Sequence, residues 1–425
     1  MVQRMRKMKD SGIEWIGEIP EGWKVGQIGQ LYSERRTKVS DKDYPPLSVT
    51  MKGILPQLST AAKTDAHDDR KLVCKGDFAI NSRSDRRGSC GISEQDGSIS
   101  LINTVLQPRG EMNPEYYNWL FHTSMFADEF YKWGHGIVDD LWTTGWSDMK
   151  KIGVPVPSKC EQKQLAEHLN FECSNIDTML SKTRSSIEEY KKLKQAVITQ
   201  AVTKGVRGER EMKDSGVDWI GEIPKEWVIQ KIKSISSRIN VGVVIRPSEY
   251  FDENGTVPFL RGINVKEYLI SSDNMVYINE SSNRILSKSQ VHTDDILIVR
   301  DRSIGTSCVV PAEFDGANVV SMVIATPLIS CDSRFICYSL NSDVGKTQFT
   351  LTKIGSALTH TSVSAVSDII VAVPSCAEQK EIADYLDAKC AEIDGLIAKK
   401  EQLVKELESY KKSLIYEVVT GKREV

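Results

Sequence analysis

The stretch from Glu161 to Thr203, EQKQLAEHLNFECSNIDTMLSKTRSSIEEYKKLKQAVITQAVT, contains neither glycine nor proline and returns in diverged form from Glu378 to Thr420. Its apolar residues recur every three or four positions, which is the pattern of a helix that buries one face. Adding 217 to each position preserves the pattern in the second copy. Two long helices are therefore predicted. The apolar stripe of the first comprises Leu165, Leu169, Cys173, Ile176, Leu180, Thr183, Ile187, Tyr190, Leu193, Val197 and Ala201.

Each predicted helix begins with a serine three residues before a glutamate, Ser158 with Glu161 and Ser375 with Glu378, which is the spacing of a capping box. At 1.5 Å per residue each helix is about 60 Å long, too long to bury its stripe on one compact domain. The two copies are therefore predicted to pack on each other as a coiled coil. The intervening domain allows either direction, and we favour the antiparallel one, which would place one domain at each end.

A second repeat precedes each globular region. Met8 to Pro20 reads MKDSGIEWIGEIP and Met212 to Pro224 reads MKDSGVDWIGEIP, with Trp23 and Trp227 following at the same distance. The offset here is 204 rather than 217, so the second variable region is longer than the first. The chain is thus predicted to be a duplication of a short motif, a variable domain and a long helix. The tryptophans are expected to be packing anchors rather than ligand contacts.

Both variable regions show short apolar runs separated by turn residues and followed by a helical stretch, Pro114 to Trp133 in the first. This pattern predicts a mixed α/β (α+β) fold for each region. The predicted boundaries are residues 1–157 for the first variable domain, 158–204 for the first long helix, 205–374 for the second variable domain, and 375–425 for the second long helix with its C-terminal tail.

The composition narrows the function classes. The 425 residues carry a net charge of −3, which argues mildly against a free-standing nucleic-acid binder, so any DNA site must be a local patch or depend on a partner. Nine cysteines without a C-x-x-C pair indicate neither a disulfide framework nor a zinc site. No signal peptide and no apolar run of membrane-spanning length is found, so a cytoplasmic protein is expected.

Two polar loops leave strands at equivalent places in the two halves, NSRSDRRGSCG at Asn81–Gly91 and RDRSIGTSC at Arg300–Cys308. Arginine can pair with the edge of guanine and asparagine with that of adenine, while serine and backbone amides hold phosphate. A DNA contact and an ordinary solvated loop are weighed about equally here. The candidate DNA-binding residues are Asn81, Arg83, Arg86, Arg87, Arg300, Arg302 and Ser303. Further candidates, for which an ordinary surface role is favoured, are Arg35, Arg36, Arg238, Arg261 and Asn264.

The sequence matches known enzymatic motifs only weakly. Glu161–Lys163 and Glu378–Lys380 match the E-x-K of a metal-dependent nuclease, with Asp148 and Asp368 upstream. Metal-binding carboxylates of such a site belong on adjoining strands, whereas each glutamate here lies in a capped first helical turn. Gly345–Thr347 lacks the earlier glycine of a phosphate-binding loop. No catalytic residue and no metal ligand is therefore assigned.

The duplicated W-I-G-x-I-P-x-x-W, the runs K-G-D-F-A-I-N and P-F-L-R-G-I-N-V, the V-P-x-x-x-E-Q-K entry to each helix and the endings A-V-T-K-G and V-V-T-G-K together resemble the DNA-specificity subunit of a type I restriction-modification system. The resemblance covers essentially the whole chain. It implies two target-recognition domains, each reading one half of a split DNA site. It also implies that the two helices form an antiparallel coiled coil that acts as a ruler.

The resemblance further implies a subunit that is not an enzyme and binds no cofactor itself. Its partners would be double-stranded DNA, two methyltransferase subunits that use S-adenosylmethionine, and two motor-nuclease restriction subunits that use ATP and magnesium. The chain would read a bipartite gapped site and direct adenine methylation or restriction. Two alternatives stay open: a coiled-coil scaffold without DNA specificity, and a metal-dependent nuclease built on the E-x-K sites. Gly134–Trp146 of the first domain and Thr352–His360 of the second differ in sequence, so base recognition by one segment cannot be carried over to the other.

Overall fold

The computed structural model describes residues 6–57, 68–136, 142–354 and 360–425. The chain divides into two compact units. Unit 1 comprises Met1–Arg184 and Gln402–Val425, and unit 2 comprises Ser185–Glu401. Each unit thus contains one variable domain together with a segment of both long helices.

Unit 1 is a mixed α/β fold of short strands and short helices that precede the first long helix. Its strands are β1 (Met8–Asp10), β2 (Glu18–Pro20), β3 (Lys24–Gln27), β4 (Tyr32–Glu34), β5 (Lys38–Val39), β6 (Leu47–Thr50), β7 (Gly53–Pro56), β8 (Arg70–Val73), β9 (Phe78–Asn81), β10 (Cys90–Ile92), β11 (Gly97–Ile99), β12 (Asn103–Pro108) and β13 (Gly153–Val156). Its helices are α1 (Ile28–Leu31), α2 (Pro114–Phe121), α3 (Ser124–Lys132), α4 (Trp146–Met149) and the beginning of α5 (Lys159–Lys204).

Unit 2 repeats this plan with different sequences. Its strands are β14 (Met212–Asp214), β15 (Glu222–Pro224), β16 (Val228–Lys231), β17 (Ser236–Val241), β18 (Val257–Leu260), β19 (Val265–Lys266), β20 (Leu269–Ile270), β21 (Val276–Ile278), β22 (Ile296–Ile298), β23 (Ser307–Val309), β24 (Asn318–Val319), β25 (Val323–Pro327) and β26 (Ile370–Val373). Its helices are α6 (Glu280–Ile285), α7 (Ser333–Asn341), α8 (Asp343–Ile354), α9 (Val363–Ser367) and the beginning of α10 (Cys376–Val419).

The central sheet has the same strand order in both units. Four antiparallel strands are ordered β10-β9-β12-β4 in unit 1 and β23-β22-β25-β17 in unit 2. A separate antiparallel pair joins the strand after the tryptophan to the strand before the long helix, β3 with β13 and β16 with β26. The predicted mixed α/β fold and the predicted duplication are therefore confirmed, although the two halves share little sequence outside their motifs.

The stretch predicted to be helical from Pro114 to Trp133 forms two helices rather than one. Thr123 separates them, and its hydroxyl accepts a hydrogen bond from the amide of Phe126 at 3.2 Å. A threonine in this position caps a new helix instead of continuing the old one. The break turns the aromatic residues Phe121 and Phe126 toward each other, with ring centroids 4.5 Å apart.

The long helices α5 and α10 contain 46 and 44 residues, and within each unit their segments run antiparallel. In the lateral contacts a higher residue number on α5 meets a lower one on α10. In unit 1 these contacts are Asp177–Lys411, at 2.6 Å, and Arg184–Glu408; in unit 2 they are Tyr190–Lys400, a cation–π contact at 5.6 Å, and Lys194–Asp394, at 2.6 Å. The predicted antiparallel arrangement is confirmed.

The apolar stripe is buried most completely where the helices pack against the domains. Leu165, Leu169 and Leu180 of α5 are buried in unit 1, and the α10 residues Ile382, Leu386 and Cys390 are buried in unit 2. Leu193, which the periodicity placed on the stripe, is instead 48% exposed. The next residue, Lys194, turns inward there and reaches both Asp394 and the ring of Tyr268. The stripe is thus interrupted by a lysine that contacts α10.

The glutamates at the starts of α5 and α10 have different hydrogen-bond partners. The capping box predicted at the first is confirmed, since the amide of Glu161 donates to the Ser158 hydroxyl at 3.3 Å and the amide of Ser158 donates to the Glu161 carboxylate at 3.2 Å. At the second start the amide of Glu378 donates to the carbonyl of Ser375 rather than to its hydroxyl, and the carboxylate of Glu378 accepts from Arg210 at 2.7 Å. Arg210 thus takes the place of the second predicted capping interaction.

The glutamine after each of these glutamates joins the long helix to its domain. The side-chain oxygen of Gln162 accepts from the amide of Asn113 at 2.8 Å, and that of Gln379 accepts from the amide of Asp332 at 2.9 Å. Asn113 and Asp332 are the N-caps of α2 and α7. The same contact therefore fixes the equivalent domain helix in both units.

An arginine, a tryptophan and a glutamate meet at the start of each long helix, and we call each such group an Arg–Trp–Glu cluster. In unit 1, Arg6 lies over the ring of Trp23 and pairs with Glu161, which also accepts from the Trp23 indole at 3.2 Å. The cluster of unit 2 consists of Arg210, Trp227 and Glu378. Trp23 and Trp227 are buried, so their predicted role as packing anchors is confirmed.

Within the described ranges, no helix combines the length and the apolar character needed to cross a membrane.

The Arg–Trp–Glu cluster of unit 1 makes the fold sensitive to acid. Burial by itself raises the pKa of Glu161, but hydrogen bonds from Arg6, Ser158 and Trp23 outweigh it and hold the pKa of this carboxyl below its usual range. A carboxyl whose pKa is lower in the folded than in the unfolded chain stabilises the fold at neutral pH. That stabilisation is lost as the pH falls through the folded-state pKa.

We therefore predict that Glu161→Gln lowers the thermal unfolding midpoint at neutral pH. This deficit should shrink as the pH falls below the unfolded-state pKa of a glutamate, about 4.3, and disappear once the pH has passed through the lower folded-state pKa. Differential scanning calorimetry across this pH range measures both effects. Glu167→Gln, on an exposed position of the same helix, is the matched control and should change little at any pH. A deficit for Glu161→Gln that is independent of pH would contradict the proposed charge dependence.

Candidate nucleic-acid interface

The first arginine loop, residues 81–91, leaves β9 of the central sheet in unit 1. Asn81 is buried, and its side-chain oxygen accepts a hydrogen bond from the amide of Arg83 at 3.0 Å. Such an asparagine shapes the turn of its own backbone. Arg83 is exposed beyond it. Asn81 therefore orders the loop, and Arg83 is a side chain that the loop presents to solvent.

The other two arginines of this loop have acidic neighbours. Arg86 is exposed, with the carboxylate of Asp85 at 3.6 Å. Arg87 pairs with Asp128 of α3, and its guanidinium lies 4.9 Å from the centre of the Tyr131 ring. Both ion pairs are solvent-exposed and contribute little to stability. These arginines can therefore exchange their carboxylate partners for phosphate at small cost.

The second arginine loop, residues 300–308, leaves β22, the equivalent strand of unit 2. Arg300 donates from Nε to the carbonyl of Thr361 at 2.7 Å. Arg302 is exposed, makes no ion pair within the described part of the chain, and has a positive φ of 57°. Ser303 is exposed beside it. A positive φ is unfavourable for a residue with a side chain, so the loop holds Arg302 in a conformation that it would not adopt alone.

The two arginine loops are attached to their domains at the same backbone point. In unit 1 the amide of Thr144 donates to the carbonyl of Ser82 at 2.9 Å, and in unit 2 the amide of Thr361 donates to the carbonyl of Arg300 at 3.1 Å. An antiparallel bridge lies next to each of these bonds, Arg83 with Thr143 and Asp301 with His360. The two loops are thus structurally equivalent, as their positions in the sequence predict.

Residues 137–141 and 355–359, which fall in the two segments that differ between the halves, lie outside the described residues.

Arg35 and Arg238 form a duplicated ion pair inside the domains. Arg35 donates twice to Asp77, at 2.6 and 3.1 Å, and Arg238 donates to Asp295 at 2.9 Å. Both carboxylates are buried, and each belongs to the turn that precedes the central strand, β9 or β22. Removing one partner of a buried pair is strongly destabilising. The geometry therefore gives these two arginines a structural role.

The remaining candidates lie at two separate places. Arg36, in unit 1, has a side chain that is 79% exposed and is 2.6 Å from Glu34. Asn264, in unit 2, is fully buried; its amide donates to the carbonyls of Ser271 and Asp273, while its oxygen accepts from the amide of Arg261. Asn264 thus orders the turn that carries Arg261. Arg261 itself donates to the carbonyl of Asn274.

Unit 2 contains a cleft of about 570 Å³ that is lined by both the turn of Arg261 and the second arginine loop. Arg261, Arg300, Arg302 and Ser303 all line it. A third segment, Val320–Met322, completes the wall, and its Ser321 has a positive φ of 50°. Ser321 was not among the predicted site residues, because nothing in the sequence indicates that this serine adopts a positive φ. Ile263 was not among them either, although that residue lies between Arg261 and Asn264 in the same motif.

The acidic residues of the E-x-K motifs are engaged with basic side chains. Glu161 and Glu378 belong to the Arg–Trp–Glu clusters, Asp148 pairs with Lys151 at 3.0 Å, and Asp368 lies 3.0 Å from both Lys231 and Lys233. Among the residues that the structure describes, no group of three or more His, Cys, Asp or Glu side chains could hold a metal ion. These carboxylates therefore act as ion-pair partners in the fold.

Comparison with known proteins supports DNA recognition. Residues 224–406 match the family model described as the type I restriction modification DNA specificity domain. The MjaVIII specificity subunit of a type I restriction enzyme from Methanocaldococcus jannaschii is 25% identical over 423 residues, covering 95% of this chain and 93% of the relative. The putative MjaX specificity subunit from the same organism is 24% identical over 430 residues, covering 96% and 95%.

Solved structures share the fold across nearly the whole chain. One, from a study of complex assembly and conformational transition of the type I R-M system, has a TM-score of 0.73 at 12% identity and covers 94% of this chain and 98% of its own. The crystal structure of the HsdS subunit from Thermoanaerobacter tengcongensis has a TM-score of 0.53 at 15% identity and covers 95% and 98%.

The chain thus combines two domains of one fold and two paired long helices, and residues 224–406 match a DNA specificity domain. Over nearly its whole length the chain is similar to specificity subunits of type I restriction enzymes, and it shares their fold. The relatives are named as specificity subunits, which agrees with the recognition role expected from the sequence.

Proposed function

We propose that the chain reads a bipartite, gapped DNA site, with residues 1–157 recognising one half and residues 205–374 the other. The observation that carries the proposal is the pair of arginine loops, which leave equivalent strands and are attached at equivalent backbone points but carry different side chains. Equivalent placement suits the same task, and different side chains suit different base sequences.

The proposed contacts come from the exposed side chains of the two loops, together with the half-buried Arg300. Arg83, Arg86 and Arg87 would act in the first half, and Arg300, Arg302 and Ser303 in the second, with Arg36 and Arg261 as additional phosphate contacts. Asn81 and Asn264 would contribute by ordering the turns that carry these arginines, and Arg35 and Arg238 by holding the domains together.

The two long helices, residues 158–204 and 375–425, are proposed to set the spacing between the half-sites. At 1.5 Å per residue, a helix of 46 residues is about 69 Å long. One turn of DNA is roughly 34 Å, so this length corresponds to about two turns. The lateral ion pairs within each unit support a defined register between the helices, which a ruler requires.

Two methyltransferase subunits using S-adenosylmethionine and two restriction subunits using ATP and magnesium are the proposed partners. The internal duplication supports this stoichiometry, because it presents each repeated motif and helix start twice. The chain itself is proposed to bind no cofactor and to direct adenine methylation or restriction by its partners. With DNA as its target and nine free cysteines, it is proposed to work in the cytoplasm.

We predict that co-expression with the methyltransferase of the same system produces methylated adenines in one gapped motif on both DNA strands. Single-molecule sequencing of the host genome would reveal both half-sites and the gap. A strain that carries the methyltransferase alone is the control. A stable complex without any methylated motif would contradict the proposal and favour a scaffold that does not read DNA.

We further predict that Arg83→Ala combined with Arg86→Ala weakens the sequence preference at the first half-site only. Arg302→Ala should weaken the sequence preference at the second half-site only. Each lost base contact should cost about 1–3 kcal/mol, which is roughly 5- to 150-fold in affinity. Methylation mapping measures both halves in one experiment, so each variant serves as the control for the other. Equal losses in both halves for either variant would show a general phosphate contact instead.

The spacing proposal predicts that removal of one heptad from each helix shortens the gap and leaves both half-sites unchanged. The matched deletions are residues 185–191 and 397–403. They preserve the antiparallel register of the ion pairs Asp177–Lys411 and Lys194–Asp394, in each of which the two residue numbers sum to 588. Seven residues correspond to about 10 Å of helix and hence to at most about three base pairs. Replacement of the same heptads by other helix-forming sequences of equal length is the control. An unchanged gap in the deletion variant would refute the ruler.

A further inference from the structure

The cleft in unit 2 has an apolar interior. Val265, Val299 and Met322 form its inner wall and are almost fully buried. Ile263 stands at the opening with 46% of its surface exposed. Its neighbours in the R-G-I-N turn are fixed, since Asn264 binds three backbone groups around it. An exposed isoleucine on an ordered turn offers a defined apolar contact to a ligand.

The rim of the same cleft is cationic. Arg261, Lys266, Arg300 and Arg302 line it, together with Asp301 and Glu267. Glu267 is paired with Lys346 at 2.8 Å, which offsets its charge. The Nε of Arg261 is buried and has no hydrogen-bond partner within the described structure. The rim therefore suits a ligand that carries negative charge and hydrogen-bond acceptors, which is the character of DNA.

The backbone conformation of two residues that line the cleft adds a second observation. Arg302 and Ser321 both have positive φ values, 57° and 50°, in a region that favours glycine. Ser321 is held there by a hydrogen bond from its amide to the carbonyl of Val243 at 3.0 Å. Left-handed residues with side chains cluster at binding sites, where the surrounding structure maintains them. Arg302 and Ser321 both line this one cleft, which supports a binding role for it.

We propose that this cleft reads a thymine in the second half-site, an inference that rests on the proposed function. In the major groove, thymine alone presents a methyl group beside a hydrogen-bond acceptor, O4. Ile263 contacts the 5-methyl group, and an arginine of the rim donates to O4. The apolar wall behind Ile263 excludes water from the methyl group, and the cationic rim binds the flanking phosphates.

The test uses the full chain in complex with its methyltransferase and short duplexes that contain the methylated motif. Each thymine of the second half-site is replaced in turn by uracil, which lacks only the methyl group. At one position the wild-type complex should lose about fourfold in affinity, the value expected for one buried methyl group. Thymine-to-uracil replacement in the first half-site provides the internal comparison.

Ile263→Ala should bind the thymine duplex less tightly and should abolish the difference between thymine and uracil at that position. Ile263→Val retains part of the contact and should give an intermediate difference. Leu269→Ala removes an exposed side chain of unit 2 that does not line the cleft, and it should leave the difference unchanged.

The inference is overturned if no thymine of the second half-site responds to uracil, if the response persists in Ile263→Ala, or if that half-site contains no A·T pair. These results would leave the proposed function intact, because the gapped motif would still be recognised. Absence of any gapped motif would overturn both proposals together.

Discussion

Burial of the apolar faces of α5 and α10 is the constraint on which the rest of the structure depends. Unit 1 closes its core with Leu165–Leu180 from α5 and with Leu414, Val418 and Val419 from α10. The core of unit 2 takes Ile198, Ala201 and Val202 from α5 and Ile382–Cys390 from α10. Each variable domain therefore needs segments of both helices, which come from distant parts of the chain.

The duplicated contacts show which features of the domain are structural. The Arg–Trp–Glu clusters, the buried pairs Arg35–Asp77 and Arg238–Asp295, and the backbone attachment of each arginine loop recur in both units. The side chains on the loops do not recur. This separation lets the proposed recognition surface change while the packing stays the same, because loop residues contribute little to the core.

Much of the architecture could be predicted from the sequence because its signals are periodic or repeated. The stripe predicted both long helices, and Ser158 with Glu161 predicted a capping box that the structure contains. Other features depended on contacts that sequence spacing does not reveal. Leu193 fits the stripe but is exposed, and the helix predicted from Pro114 to Trp133 breaks at Thr123, since local capping competes with helix continuation.

The sequence by itself determined the duplication, the mixed α/β class and the paired helices, because these follow from repeats and periodicity. Its short motifs carried the resemblance to a specificity subunit. Only the tertiary structure decided which candidate arginines are exposed and which are held in ion pairs. Arg35 and Arg238 are engaged with carboxylates 42 and 57 residues away, whereas Arg83 and Arg302 are exposed. Folding brings those distant charges together, and the strength of each pair depends on burial that the sequence does not show.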